Sequence, residues 1–278
     1  MSSPRISVCI CTYNRYDLLP KAIDSALSQS LSSADYRIVV IDNSPDHEAA
    51  QEFGRQYSDE PLITYHVELT PGLSNARNVG AQMCGTDFIS FMDDDAIADP
   101  HWLKKILEAF DAFGERVAVV GGKVDPIWEE PRPQWLEDSL LGYVSVVNWG
   151  GEVREAAETE WFAGTNITFR TSAVLEHGLF DVKLGRVGGG ANLLSNEEVE
   201  LVRRIREAGG LAIYQPEAMV RHLVERRRLT QHWFRKRVAW QAVSDFLIQT
   251  LGDAFVGVIW RERLVNELRE RSRNERHE

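Results

Sequence analysis

Three consecutive aspartates, Asp93, Asp94 and Asp95, come directly after the apolar stretch of residues 88–92. Adjacent carboxylates repel one another, so holding them together costs free energy unless a cation lies among them. In an extended segment alternate side chains point the same way, so Asp93 and Asp95 could share a face from which Asp94 turns away. Carboxylate oxygens suit Mg²⁺ or Mn²⁺, and such an ion would bridge the protein to a diphosphate. We therefore predict a divalent-metal site here, and a solvated acidic turn is the alternative.

Two further groups of acids lie where an apolar stretch ends or a helix begins. Asp42 follows residues 38–41, where it could accept hydrogen bonds from a ribose or a base, or could order the turn at residues 43–45. Glu197 and Glu198 occupy the first turn of a predicted helix that Asn196 could cap. The positive end of a helix favours ionised carboxylates, so one glutamate could act as a base near neutral pH. Simple compensation of the helix dipole is the alternative.

The hydrophobic pattern predicts the elements that must position these acids. Apolar, β-branched stretches at residues 6–11, 37–41, 63–67, 88–92 and 117–121 are predicted strands. Helix-spaced apolar residues separate them, with helix starts predicted at Asp17, Ser74 and the Asp99-Pro100 pair, and a further helix at residues 47–57. This alternation predicts an α/β fold with a doubly wound, mostly parallel sheet. Ligands of such sheets bind at the carboxyl ends of the strands, where residues 12–14, 42–44 and 93–95 lie.

From Val124 onward the rhythm of the sequence changes. A loop punctuated by prolines is predicted at residues 125–133, and several tryptophans follow within a short span. A helix is predicted at residues 197–208 and a strand at residues 211–214. Residues 232–273 are predicted as two helices that break near Gly252. This half therefore lacks the regular alternation of the first half.

The composition indicates a globular protein of 278 residues with a net charge of −11. No apolar stretch is long enough to span a bilayer, and the N-terminus has no secretory pattern. The three cysteines have no metal-ligand spacing and are predicted as reduced thiols, so we expect a cytoplasmic protein. The acidic excess argues against nucleic acid as a partner. The segment after Glu217 is net basic, and it could contact the inner face of a membrane or simply be solvated.

In their order along the chain, several short motifs resemble those of glycosyltransferase family 2, whose members have the GT-A fold. The motifs lie at residues 7–15, 38–46, 72–80, 91–95, 164–170 and 196–201, with His222 as the last. The resemblance covers about residues 5–225. It implies a GT-A catalytic domain at residues 1–225, with a Rossmann-like nucleotide-sugar-binding half at 1–123 and an acceptor-binding half at 124–225. A C-terminal helical extension would follow at residues 226–278.

The resemblance also implies roles for individual residues. Asp93, Asp95 and His222 would hold Mn²⁺ or Mg²⁺, with a structural histidine as the alternative for His222. Glu197 and Glu198 replace the family's usual Glu-Asp pair, whose second member is the base, so which glutamate is catalytic stays open. Trp161 and Asn166 would contact the acceptor. The nucleotide-sugar donor would be bound by Thr12, Tyr13, Asn14, Arg15, Asp42, Asn43, Arg77, Asp93, Asp94 and Gly164.

The implied reaction is a single in-line displacement that inverts the anomeric carbon. One sugar would move from a nucleotide-diphosphate sugar, by preference UDP-linked, to an acceptor hydroxyl in polysaccharide or glycoconjugate synthesis. The processive signature Gln-x-x-Arg-Trp is not matched at residues 231–235, so a non-processive enzyme is expected. The acceptor would be a saccharide or a lipid-linked compound. A nucleotidyltransferase and a catalytically inactive GT-A binding module are the alternatives.

Three further expectations concern loops and surfaces. Glycines 188–190 would form a lid over the donor or a plain loop. The basic residues at 226–228 and 235–237 would meet a lipid diphosphate or the membrane surface. Apolar side chains of the C-terminal helices would form a homodimer interface, namely Phe246, Leu247, Phe255, Val256 and Ile259.

Overall fold

A computed structural model describes residues 3–188 and 193–251 of the chain. The strands are β1 (Ile6–Thr12), β2 (Tyr36–Asp42), β3 (Ile63–Val67), β4 (Phe88–Asp93), β5 (Ala96–Ala98), β6 (Val117–Trp128), β7 (Arg154–Glu155), β8 (Ile167–Arg170) and β9 (Leu211–Val224). The α-helices are α1 (Leu19–Leu27), α2 (His47–Gly54), α3 (Leu73–Met83), α4 (Trp102–Phe113), α5 (Thr171–Glu176), α6 (Glu197–Glu207) and α7 (Gln231–Leu251). Short 3-10 helices lie at Arg55–Tyr57, Asp138–Val144 and Arg226–Leu229.

The first half of the chain forms the parallel part of the sheet, with the strands in the order β3-β2-β1-β4. The apolar residues of β1 alternate between two layers. Ile6, Val8 and Ile10 pack with α1 and α4, whereas Cys9 packs on the opposite face with α3. A strand buried on both faces has a continuous apolar sequence, which is why the sequence alone identifies it. The predicted doubly wound α/β architecture is confirmed.

The second half does not simply continue the parallel order. β8 lies between β4 and β6 and is antiparallel to both, so the sheet is mixed at this point. β6 pairs in parallel with β9 instead. The predicted strands do not include β8, a short strand whose partners on β4 and β6 lie far away in the sequence. The five predicted strands are all present, but the fifth is not a neighbour of the fourth.

β6 and β9 both extend past their predicted ends. β6 continues through Pro126 to Trp128 in place of the predicted loop, and β9 continues from Tyr214 to Val224. Pro126 is tolerated because, in the described part of the chain, β6 is paired only with β9 at that point and its other edge is open. A register shift after Gly122 brings the two strands close together, since a Cβ at Gly122 would overlap the carbonyl oxygen of Ala218.

Helix starts depend less on side-chain caps than the sequence indicates. The Asp17 side chain does not cap α1, and the Ser74 hydroxyl donates to the carbonyl of Leu184 rather than capping α3. Asn196 does precede α6, but it lies in the left-handed region with φ of 77° and makes no capping hydrogen bond. Ser74 and Asn196 therefore connect their helices to other segments of the fold.

The last described element is α7, whose first turns pack on the 3-10 helix Asp138–Val144. Phe246 on α7 is 63% exposed. The second predicted C-terminal helix, with Phe255, Val256 and Ile259, lies outside the described residues, as do residues 189–190 of the predicted glycine lid. The homodimer interface and the domain division at residues 123 and 225 stay predictions. Every helix within the described ranges is too short or too polar to cross a bilayer.

Candidate active site

A cleft of about 880 Å³ opens at the carboxyl ends of β1 and β4. Its volume lies in the range of sites that bind substrates and cofactors. Residues from many parts of the chain line it, among them 11–15 at the end of β1, 93–95 at the end of β4, 158–165, 193–199 at the start of α6, and part of α7. The cleft therefore lies at the sheet edge where the sequence predicts ligand binding.

The acid triplet sends its side chains in two directions. Asp93 ends β4, and its side chain is 36% exposed. One ligand atom each from Asp93, Asp95 and His222 lies within 4.8 Å of the others. Asp94 turns away and accepts a hydrogen bond of 2.7 Å from the Thr12 hydroxyl. This is the shared face expected for Asp93 and Asp95, and the three grouped residues could hold a metal ion.

His222 lies inside β9, opposite Ala96 of β5, and not after a strand as the sequence suggests. Its Nε2 is 3.2 Å from Oδ1 of Asp95. Burial would raise the pKa of Asp95, but His222, followed by Arg228 and Arg15, holds that pKa well below its ordinary value. Neither oxygen of Asp95 accepts a well-aligned hydrogen bond within the described part of the chain. The lone pairs of this carboxylate therefore remain available to a cation.

Two arginines balance the charge of the aspartates. Nη1 of Arg15 lies 2.8 Å from Asp95 and 3.3 Å from Asp94, and its Nη2 lies 2.7 Å from Glu225. Arg228 reaches Asp95 at 3.6 Å from the C-terminal side. Burial, together with the neighbouring charge of Asp95, raises the pKa of Asp94 to about 7. Arg15 thus lies where a donor site is expected, with its guanidinium shared by three carboxylates.

Arg77 on α3 connects the aspartates to the two glutamates. It is 3% exposed, and its Nη1 lies 2.7 Å from Oε1 of Glu197 and 3.9 Å from Glu198. Its Nη2 lies 3.7 Å from Asp93. The resemblance implies that Arg77 lies near a diphosphate. In the structure Arg77 lies between Asp93, one of the three candidate metal ligands, and the two glutamates at the start of α6.

Gly164 makes room for Arg77. A Cβ at this position would overlap the guanidinium group, which lies over the rings of Phe91 and Phe180. The amide of Gly164 also donates a hydrogen bond of 3.2 Å to Oε1 of Glu198. The glycine is therefore needed for the packing of the arginine, and its predicted approach to a sugar stays a prediction.

Glu197 and Glu198 lie in different environments. Glu197 is ion-paired to Arg77. The Glu198 side chain is 14% exposed, and its Oε2 is buried without a hydrogen-bond partner in the described residues. Burial, together with the charge of Glu197, raises the pKa of Glu198 to about 7. A carboxyl group with this pKa can take up a proton near neutral pH, so the geometry favours Glu198 as the base.

Asp42 is fully buried and is not part of the cleft lining. Its carboxylate accepts hydrogen bonds from the hydroxyls of Tyr16 and Tyr65, at 3.0 and 2.6 Å, and from the amide of Ser44 at 2.9 Å. The bond to Ser44 is the Asx turn that was the alternative to nucleoside binding. Contact of Asp42 with a base or ribose stays a prediction, and it would require the two tyrosines to move.

Other residues predicted to bind the donor do line the cleft, namely Thr12, Tyr13, Asn14 and Asn43. The amide nitrogen of Asn43 donates to the carbonyls of Glu68 and Thr70, at 2.8 and 2.7 Å. Its amide oxygen accepts from the main-chain nitrogen of Gly72 at 2.7 Å. Asn43 thereby fixes the loop that leads into α3, and so helps to position Arg77.

Asn166 has a structural position, and its predicted contact with an acceptor stays a prediction. It is 1% exposed, accepts a hydrogen bond from the indole of Trp102, and donates to the carbonyls of Lys123 and Ala218. These bonds connect β6, β9 and α4, and they use both the oxygen and the nitrogen of the side-chain amide. Trp161 does line the cleft, so its contact with an acceptor stays a prediction.

The basic residues at 226–228 and 235–237 do not form one surface patch, and their contact with a lipid diphosphate or a membrane surface stays a prediction. Arg226 lies on the surface beside Glu130, whereas Arg228 and Arg237 are 5% and 9% exposed and line the cleft. Arg186 lines it as well. Nothing in the sequence indicates Arg186, whereas Arg228 and Arg237 belong to the two basic groups expected to meet a lipid diphosphate; no local pattern shows that these two turn into the cleft.

Comparison with known proteins agrees with the motifs. The sequence model of the family described as Glycosyl transferase family 2 matches residues 7–165. The chain is 28% identical over 251 residues to a glucosyl-dolichyl phosphate glucuronosyltransferase of Haloferax volcanii, with 89% of this chain and 78% of the relative covered. It is 26% identical over 233 residues to the succinoglycan biosynthesis protein ExoM of Rhizobium meliloti, with 84% and 71% covered.

Solved structures with the same fold include S. aureus TarS 1–349 in complex with UDP-GlcNAc, with a TM-score of 0.60 at 16% identity. The likeness covers 91% of this chain and 68% of that one. GalNAc-T7 with UDP, GalNAc and Mn²⁺ has a TM-score of 0.62 at 16% identity, with 95% and 55% covered. At this level of identity the likeness concerns the fold alone, which is of the α/β GT-A type.

Proposed function

Because the chain belongs to glycosyl transferase family 2 and is a glycosyltransferase, we propose that it transfers one sugar from a UDP-linked donor with inversion. The family and the fold imply a nucleotide-sugar donor and a glycan acceptor. UDP is proposed because the solved neighbours are complexes with UDP or UDP-GlcNAc. A lipid-linked saccharide is proposed as one acceptor class, since the name of the Haloferax volcanii relative gives a glucosyl-dolichyl phosphate for that enzyme. In this proposal residues 1–123 bind mainly the donor, and residues 124–225 with α7 bind the acceptor.

One arrangement supports the proposal most strongly. Arg77 lies between Asp93, at 3.7 Å, and Glu198, at 3.9 Å, and all three line one cleft. An inverting displacement needs a base on one side of the anomeric carbon and a stabilised leaving group on the other. A donor bound beside Asp93 would present its leaving phosphate to Arg77 while its sugar faces Glu198.

The acid triplet fits a divalent cation. Asp93 and Asp95 offer carboxylate oxygens, and His222 offers an imidazole nitrogen, all within 4.8 Å of one another. Both oxygens of Asp95 lack a well-aligned hydrogen bond within the described residues. This ligand set suits Mn²⁺ or Mg²⁺. When bound, the ion would stabilise negative charge on the departing diphosphate.

The residues of the chain would divide the remaining work. Glu198 accepts the proton of the acceptor hydroxyl while the oxygen of that hydroxyl forms a bond to the anomeric carbon. The bond from the anomeric carbon to the β-phosphate oxygen breaks in the same step. The electron pair of the broken bond stays on the phosphate, where the guanidinium of Arg77 lowers the energy of the developing charge. Glu197 holds that guanidinium in place through its ion pair of 2.7 Å.

The experiment is a panel of nucleotide sugars tested for thermal stabilisation of the protein with Mn²⁺, followed by turnover assays with saccharide and lipid-linked acceptors. We expect one UDP-sugar to stabilise the protein most and its sugar to be transferred with inverted configuration, which NMR of the product reports. Asp95→Asn should abolish transfer. A product with retained configuration would overturn the inverting mechanism, and full turnover by Asp95→Asn at ordinary cation levels would overturn the metal assignment.

The alternatives have less support. A nucleotidyltransferase would need a glycine-rich, basic loop after the first strand to hold a triphosphate, and residues 12–17 contain no glycine. An inactive binding module would have no need for a buried Glu198 with a pKa of about 7 beside an intact aspartate triplet. Nucleotide-sugar binding without turnover across the whole acceptor panel would favour the binding module.

A further inference from the structure

The far wall of the cleft carries three arginines from different segments. Arg186 precedes α6, Arg228 belongs to the 3-10 helix Arg226–Leu229, and Arg237 lies on α7. Asp95 lies 3.6 Å from Arg228 and neutralises part of its charge. Neither Arg186 nor Arg237 has a carboxylate within ion-pair distance among residues 3–188 and 193–251. Two cations of this wall therefore lack a counterion in the described protein.

Arg237 is held in a fixed position by neutral groups. Its Nη2 donates to the hydroxyl of Ser195 at 3.0 Å and to Oε1 of Gln241 at 2.6 Å. Its Nη1 donates to the carbonyl of Leu193 at 3.4 Å. The residue is 9% exposed. These bonds orient the guanidinium without an ion pair, and the carboxylate charge that acts on it comes from the more distant Glu198 and Asp245.

Binding of an anion among these arginines would lower the free energy of the arrangement. Burial and the nearby charge of Arg186 lower the pKa of Arg237 to about 10, and burial, with a contribution from the same neighbour, lowers the pKa of Arg228. Buried cations that repel one another destabilise the fold unless an opposite charge lies among them. Lys236 adds a further cation to the lining of the cleft.

The position of Arg237 shows which end of the reaction the anion would belong to. Leu193 and Ser195, which Arg237 contacts, directly precede Asn196 and the first turn of α6, where Glu198 lies. An acceptor must bring its hydroxyl to Glu198, so an anionic group near Arg237 would be part of the acceptor. Arg228, in contrast, contacts Asp95 on the metal side, where the donor diphosphate is proposed to bind.

We propose that Arg186 and Arg237 form an anion subsite in the acceptor half of the cleft, and that it binds a phosphate group carried by the acceptor. The inference rests on the proposed function, because it assigns an acceptor to the same cleft. Guanidinium groups bind phosphate through paired, charge-assisted hydrogen bonds. Two guanidinium groups and an ammonium group offer more charge than a single carboxylate would need, so a phosphate monoester, which carries more than one negative charge at neutral pH, is the fitting class.

The test measures binding of small phosphates to the full chain with Mg²⁺ and saturating UDP, so that the donor phosphate site is filled. The probes are decyl phosphate, glucose 1-phosphate and inorganic phosphate, and decanol is the uncharged comparison. Isothermal titration calorimetry measures the binding of each. We expect saturable binding of at least one phosphate probe and none of decanol. If decyl phosphate binds at least tenfold more tightly than the other two phosphates, the phosphate group belongs to a lipid-linked acceptor. If the three phosphates bind equally, it belongs to a soluble acceptor.

Arg186→Gln is the main variant, because no hydrogen bond or ion pair of its side chain to the described residues would be lost. We expect it to weaken phosphate binding at least tenfold, while the Kd for UDP changes less than twofold. Arg235→Gln, an exposed arginine on α7 outside the cleft, is the matched control and should bind phosphate like the native protein. Arg237→Lys, which keeps the charge, should retain part of the affinity.

Two results would overturn the inference. One is phosphate binding that Arg186→Gln leaves unchanged. The other is an equal loss of UDP and phosphate affinity in that variant, which would assign these arginines to the donor. If UDP-sugar binding and sugar transfer remain intact while no phosphate probe binds, only the anion subsite is wrong. If UDP itself fails to bind the native protein, the proposed function is wrong.

Discussion

Arg77 connects both halves of the proposed reaction through one buried side chain. Burial would lower the pKa of Arg77, but the charges of Glu197, Glu198 and Asp93 raise it above its ordinary value, so the group stays cationic. Because Glu197 forms the shortest of these ion pairs, its carboxylate holds the guanidinium of Arg77 in place. Glu198, at 3.9 Å, remains available for proton transfer.

Replacing the proposed base should remove catalysis and spare donor binding. We expect Glu198→Gln to lower kcat by roughly 10²–10⁴, the usual contribution of a general base, while the Kd for UDP stays within twofold. Steady-state kinetics and calorimetry measure the two quantities. Glu197→Gln is the matched comparison, and it should weaken donor binding because it frees Arg77. A collapse of kcat with intact UDP binding in Glu197→Gln, and not in Glu198→Gln, would reassign the base.

Glu198 should also lower the stability of the protein at alkaline pH. Its folded-state pKa of about 7 lies above the ordinary 4.5, so between these values the folded chain keeps a proton that the unfolded chain has lost. Stability from this group therefore falls as pH rises from about 4.5 to 7. We expect Glu198→Gln to be more stable than the native protein at pH 8 by up to about 3 kcal/mol, at about 1.4 kcal/mol per pKa unit.

The measurement for this prediction is urea unfolding at pH 5 and pH 8. Asp94, whose pKa is also raised to about 7, is present in both proteins, so its contribution cancels in the difference. The advantage of Glu198→Gln should shrink towards zero at pH 5. An advantage of equal size at both pH values would mean that the variant gains stability from something other than the missing charge.

Among the elements, the segment before β8 must pass close to α3, and Gly164 permits this approach. We expect Gly164→Ala to push the Arg77 guanidinium from its place over Phe91, with a loss of stability of roughly 1–3 kcal/mol and a clear loss of kcat. Thermal unfolding and kinetics measure the two effects. Gly151→Ala is the control, because a Cβ there meets nothing within 4 Å. Native-like stability and kcat in Gly164→Ala would contradict the packing described here.

The sequence identifies elements whose signal is local. The strands of the parallel half are continuous apolar stretches, and Asp93 and Asp95 follow one of them directly, so both the strand and the acidic edge could be predicted. β8 could not, because its four residues acquire their strand partners only in the folded chain. The strand predicted at residues 117–121 is shorter than β6, because the prolines that follow indicate a loop although an open edge tolerates Pro126.

The site residues show the same difference between features with a local sequence signal and features that depend on distant partners. Glu198 lies in a helix start that the sequence shows, but its preference over Glu197 depends on Arg77, which is 120 residues distant in sequence from Glu197. Asn166 lies in a recognisable motif, yet its partners on β6 and β9 give it a structural place. Arg186 carries no local signal, and Arg237 belongs to a basic group at residues 235–237 whose direction depends on how α7 crosses the cleft.

At the level of the whole molecule, the candidate metal residues join the two halves of the sheet. Asp93 ends β4 and His222 belongs to β9, so a bound cation would cross-link segments far apart in the chain. We expect Mn²⁺ at 100 times its Kd to stabilise the fold by about 2.7 kcal/mol, which is a rise in Tm of roughly 5–10 °C. Differential scanning fluorimetry measures this rise.

Asp95→Asn should lose the Mn²⁺-dependent rise in Tm, and Asp138→Asn should keep it. Asp138 is the matched control because its side chain is 89% exposed and lies outside the cleft. An equal rise in both variants would show that Mn²⁺ binds elsewhere.

The course of α7 across the cleft has a consequence for how this protein could diversify. The match to the family model ends at residue 165, whereas α7 begins at Gln231. In the proposed function the residues that bind the nucleotide, the metal ion and the acceptor proton all precede α7, whereas α7 lines the side of the cleft that receives the acceptor. Recombination in the coding sequence downstream of Gln231 could therefore exchange part of the wall that receives the acceptor and leave Asp93, Glu198 and His222 as they were.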